Sequence, residues 1–146
     1  MLPDLQAFLA YRHPQVIRSY IRDFPAYESR AEVLFADMLR FLWLSRKHME
    51  DRERKPDDMA LDFLFVMHEE MRDIDNMWHN FILYTKDYTD FCLENFGEYL
   101  HHKPDVAETI VQTESEFSTE MQKFLSYVYD ELGEQTMRRW FAIHFS

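Results

Sequence analysis

Glycine is almost missing from this chain: Gly97 and Gly133 are the only two in 146 residues. With just five prolines beside them, there are too few tight-turn residues for most sandwiches, barrels or doubly wound folds. A glycine-rich phosphate loop is likewise excluded, and no nucleotide cofactor is expected. Cysteine is scarcer still. The single Cys92 rules out an intrachain disulfide and any Cys-x-x-Cys pair, and it fits a reducing compartment. No apolar run reaches the ~18 residues of a membrane span. The opening Met1-Leu2-Pro3-Asp4 lacks a charged leader and an apolar signal core, so a cytoplasmic location is predicted. Positive charge is in deficit, with 16 Lys and Arg against 27 Asp and Glu and a net charge of -11. Nucleic-acid binding draws on basic surface, so no nucleic-acid partner is expected, and anionic membranes are disfavoured by the same field. Arg46-Lys47 and Arg52 to Lys55 are interleaved with Glu50, Asp51 and Glu53, the pattern of a solvated helix face.

What the chain does have is apolar bulk and helical periodicity. Hydrophobic residues make up 47% and aromatics 16%, including 13 Phe and 8 Tyr, so a bulky core is expected in one domain of ordinary size. Periodic apolar stripes predict short helices over Asp4 to Tyr11 and Pro14 to Asp23, then a long one from Ser29, with Ser29 and Glu32 as a capping box. Pro56-Asp57-Asp58 reads as a loop. Leu61 to Val66 is compatible with a strand or a buried helix, and helix is the preferred reading. Further helices are predicted over Glu70 to Tyr84, Lys86 to Phe96 with Thr85 as cap, Asp105 to Gln112, Ser118 to Leu132 and Glu134 to Ile143. Gly97 and Gly133 act as helix stops. The expectation is an all-α, single-domain irregular bundle of about seven helices spanning residues 1–146.

The chemistry-bearing residues gather in the middle of the chain. Asp75 and His79 stand four apart, hence on one helix face. If that helix reaches back to His68, then His68, Arg72, Asp75 and His79 fall within about 40° of one another. A carboxylate and an imidazole at this spacing can share a metal ion, or the carboxylate can orient the ring. His101 and His102 follow the Gly97 stop, and neighbouring residues of an extended stretch point opposite ways. Asp75, His79, His101 and His102, with His68 as an outlying candidate, would form a borderline-soft site suited to Zn²⁺ or Fe²⁺. The competing reading is an Asp–His hydrogen bond that fixes helix packing without any ligand. Trp78 and Tyr88 are candidate walls of such a site. Cys92, among Tyr88, Phe91 and Phe96, reads as a small buried hydrophobe rather than a nucleophile. No nucleophile elbow occurs, and His68-Glu69 begins a His-Glu-x-x-His pattern that Arg72 interrupts. The nine methionines, Met67, Met71 and Met77 among them, read as core filler.

Asp75-Asn-Met-Trp78-His79-Asn-Phe-Ile82-Leu, Tyr88-Thr-Asp-Phe-Cys92, Phe96-Gly97 and His101-His102-Lys-Pro104 occur in that order. This ordered set resembles the glycine-rich-domain-protein-like family. The likeness extends over about residues 29–141, through Phe41-Leu-Trp-Leu44 and Tyr129 to Trp140, and is strongest to small stand-alone bacterial members. It implies an all-α fold and groups Asp75, Trp78, His79, Cys92, His101 and His102 as one constellation. The glycine-rich tail of the larger plant members has no counterpart here, so their stress and hormone roles do not carry over, and the resemblance supplies no reaction.

Two functions of different classes follow. One is a small metal-binding helical protein, with or without catalysis, acting on an unidentified small molecule or protein. The other is a non-catalytic acidic module for protein–protein interaction, in which the Asp/His cluster is structural.

Overall fold

In the computed structural model, which describes residues 2–102 and 113–142, the backbone is helical from its first turn. Seven α-helices occur among the described residues, and no β-strand does. They are α1 (Leu5–Phe8), α2 (Pro14–Asp23), α3 (Ala31–Arg54), α4 (Arg72–Ile82), α5 (Thr85–Phe96), α6 (Glu114–Leu132) and α7 (Glu134–Trp140). Side chains cap several starts: Asp4 accepts the Ala7 N–H, His13 that of Val16, and Thr113 that of Glu116. The predicted Asp105 to Gln112 helix lies outside the described residues, as does Ile143 of the predicted last helix.

Two compact units emerge, neither a contiguous stretch: residues 1–43 with 72–102, and residues 44–71 with 103–146. In the first, α4 buries Ile74, Met77, Trp78 and Phe81, the i, i+3, i+4, i+7 stripe of an amphipathic helix. That stripe meets α2 and α5, and it meets the first half of α3 through Phe35–Phe81 and Phe41–Trp78 ring contacts at 6.2 and 5.7 Å. Phe8, Phe91 and Phe96 complete an aromatic core at centroid spacings of 5.3 to 6.1 Å.

The second unit packs α6 on α7 and on a 3₁₀ turn, Met59–Leu61. Its core mixes rings with two buried histidines. His48 lies 4.2 Å from Phe63 with the rings tilted by 37°, and His68 lies 4.6 Å from Phe124.

Two local expectations are corrected. Ser29 does not cap α3, because a 3₁₀ helix over Pro25–Arg30 runs directly into it and the Glu28 carbonyl accepts the Ala31 N–H. Leu61 to Val66 is not a helix. After the 3₁₀ turn the chain runs without regular secondary structure to His68, held by partners from α6: the Leu64 N–H donates to the Glu120 carboxylate at 3.1 Å, and Lys123 Nζ donates to the Asp62 carbonyl at 3.2 Å. Tertiary side chains thus satisfy backbone groups that a helix would otherwise have paired internally. Among the described residues, no helix is long and apolar enough to cross a membrane.

Candidate functional site

The amphipathic register of α4 turns Trp78 inward and leaves Asp75 at the edge of the apolar stripe, with His79 exposed. Beyond α5, Gly97 takes the left-handed conformation at φ 74° and redirects the chain toward His102. His102 donates Nε2–H to Asp75 Oδ1 at 2.5 Å across 27 residues of sequence. Its ring also sits 4.5 Å from the Trp78 ring, edge-on. Both partners remain reachable by water, with side-chain exposures of 17% for His102 and 38% for Asp75.

Beneath this pair runs a buried relay. Trp78 donates its indole N–H to Tyr88 Oη at 3.0 Å, and the Tyr88 hydroxyl donates to the Leu100 carbonyl at 2.6 Å. Cys92 is fully buried against the same groups, bonded to Tyr88 and to the Leu100 backbone. Burial raises the Cys92 thiol above its ordinary pKa, and the bonds from Tyr88 and Leu100 only partly offset this. The side chain is therefore a protonated packing group, not a thiolate nucleophile. Burial also raises the Tyr88 phenol, with the neighbouring Cys92 adding to the effect, so the relay is neutral throughout the physiological range.

The other predicted ligands do not converge on Asp75. His79 is exposed, with its ring 6.3 Å from that of His102. His101 is exposed and lies against Tyr99 at 4.7 Å. His68 does not extend the helical line, because a 3₁₀ turn over Glu69–Met71 intervenes before α4 begins at Arg72. It belongs to the second unit, buried among Phe117, Phe124 and Phe141. Among the described residues, no group of three or more His, Cys, Asp or Glu is arranged to hold a metal ion. The four-residue ligand set expected from sequence is thus reduced to one carboxylate–imidazole pair with a third ring nearby.

A second pair of this type escaped sequence reasoning. His13 accepts the Val16 N–H on Nδ1, which leaves the proton on Nε2 to be donated to Asp87 at 2.7 Å. The 74-residue separation gave no local signal beyond a histidine before Pro14.

Comparison with known proteins bears on half of this geometry. Residues 64–130 are similar to a family described as UCP032817-like. That stretch contains Asp75, Trp78, Tyr88, Cys92 and His102. No curated protein and no solved structure matches the chain.

Proposed function

We propose that this chain is a non-catalytic interaction module in which the Asp75–His102 pair is structural. The observation that carries the reading is the mutual satisfaction of the polar groups: His102 Nε2 is spent on Asp75, and Trp78, Tyr88 and Leu100 form a closed donor–acceptor sequence. A buried thiol and a raised phenol offer neither nucleophile nor base. Such a network fixes the segment after Gly97 and favours one arrangement of α4 and α5. The likeness to the glycine-rich-domain-protein-like family is part of this reading, since it groups the same residues without supplying a reaction. With a net charge of -11, the partner is a positively charged protein surface in the cytoplasm, and association weakens steeply with salt.

One observation favours a second reading. His79 stands near His102, and a rotated His79 could join Asp75 and His102 around Zn²⁺ or Fe²⁺. Thermal unfolding of chelator-treated protein, with and without each ion between pH 6 and 8, separates the two. At each pH, the structural reading expects the same melting temperature with and without either ion. An ion-dependent rise that disappears in His79→Ala and His102→Ala would replace it with the metal reading.

A further inference from the structure

We infer that the start of α6 and the irregular segment beside it form a docking surface for a basic segment of a partner protein that carries an apolar anchor. The inference rests on the interaction-module reading and gives it a place in the second unit, with Phe117 at the centre.

Three contacts lay the segment antiparallel along α6. Lys123 reaches the Asp62 carbonyl, Glu120 accepts the Leu64 N–H, and the rings of Phe117 and His68 lie 6.3 Å apart. Phe124 closes the inner side, with its ring 5.1 Å from Phe65 and 4.6 Å from His68. Elsewhere the strip is open. Every residue from Thr113 to Thr119 is exposed, so the opening turns of the helix stand clear, with Phe117 at 47% exposure. Leu64 is 40% exposed. Phe65, Val66 and Met67 are each partly exposed, so none of this apolar run is buried. Val66 and Met67 enter no hydrogen bond among the described residues. Single apolar side chains at a surface are ordinary, but a consecutive run beside an exposed ring marks a surface built to cover something.

Charge selects the occupant. Thr113 to Gln122 contains Glu114, Glu116 and Glu120 but no Lys or Arg, and Leu64 to Met71 contains Glu69 and Glu70 but no Lys or Arg. The next cations along the chain are Arg72 and Lys123, and Lys123 is turned to the Asp62 carbonyl. Glu114, Glu116 and Glu120 enter no ion pair among the described residues, and Glu120 accepts only the Leu64 N–H. Glu114 and Glu116 suit the first turn of a helix through its dipole, but the dipole gives no reason for an exposed phenylalanine between them and Glu120. An apolar strip within an acidic rim fits an apolar side chain set against Phe117 and flanked by Lys or Arg. A second copy of this chain would bring the same carboxylates to the same place. Residues 103–112 carry Asp105 and Glu108 against Lys103 alone, so charge favours neither as the occupant.

The test uses two synthetic peptides of equal positive charge, an amphipathic helix of leucine and lysine and a polar counterpart of serine and lysine. Each is titrated into the full chain and followed by amide NMR. The leucine peptide should give saturable shifts at Val66, Met67, Phe117 and Met121, and the serine peptide should bind about tenfold more weakly or worse. Phe117→Ser should weaken the leucine peptide by a similar factor with no change in melting temperature. Glu114→Gln/Glu116→Gln should weaken it and flatten its salt dependence, while Leu83→Ser in the first unit should change nothing. Equal binding of the two peptides, shifts confined to other residues, or binding that survives Phe117→Ser would overturn the surface and leave the acidic-module reading standing. No binding of either peptide would overturn both. A lowered melting temperature in Phe117→Ser, or a dimer in sedimentation that this variant abolishes, would assign the ring to the chain itself or to a second copy, and either result overturns the proposal.

Discussion

Tyr88 stands between Trp78 and the backbone, taking the indole N–H at 3.0 Å and passing its own hydroxyl to the Leu100 carbonyl at 2.6 Å. One buried oxygen thereby satisfies a donor on α4 and an acceptor ten or more residues beyond it. Tyr88→Phe removes that oxygen without changing the ring, and leaves both groups unpaired in a dry place. The expected loss is about 1–3 kcal/mol of unfolding free energy, measured by urea denaturation and accompanied by a changed Trp fluorescence spectrum. In a double-mutant cycle Trp78→Phe should be less damaging on the Tyr88→Phe background than on the wild type. Strict additivity would show that the relay carries no coupling energy.

His48 and His68 make the second unit sensitive to acid. Burial lowers both imidazoles below the ordinary value of 6.5, against small opposing effects from the Leu61 carbonyl and Asp51 at His48 and from Glu70 at His68; Arg52 lowers His48 further. A depressed histidine binds its proton more readily when unfolded. The stability it supports is therefore full above the unfolded value near 6.5 and falls as pH drops through that value toward the lower folded one. Unfolding midpoints should decline between pH 7 and pH 5, and His68→Phe should flatten part of the slope. An identical slope in wild type and His68→Phe would refute the assignment.

The two glycines differ in what they demand of the backbone. Gly97 sits at φ 74°, ψ 0° and Gly133 at φ 93°, ψ 168°. In neither case does an added Cβ meet an atom within 4 Å, so substitution tests conformation alone. Gly97→Ala should cost about 1 kcal/mol, and Gly97→Asn less, because asparagine tolerates the left-handed region. Gly133 occupies a region open essentially to glycine only, so Gly133→Ala should cost about 2–3 kcal/mol. Thermal melts of the three variants give the order directly, and equal losses for the two alanines would contradict it.

Sequence alone determined the helical class, because the 3.6-residue apolar stripes and the lack of turn residues are local properties. Pro14–Asp23 and the Gly97 and Gly133 stops were readable for the same reason, as were Trp78, Tyr88 and Cys92 as inward-facing neighbours of Asp75. What tertiary structure alone decided is which distant groups meet. Asp75 took His102 because the chain beyond the Gly97 stop brings that ring within 2.5 Å, while His79 and His101 are left exposed. His68 went to a different core, because a 3₁₀ turn broke the helix that would have aligned it with Asp75. Leu61 to Val66 did not form the expected helix because Glu120 and Lys123, more than fifty residues away, supplied backbone partners to Leu64 and Asp62. A short apolar run contains no information about such partners, and only the folded chain brings them within hydrogen-bond reach.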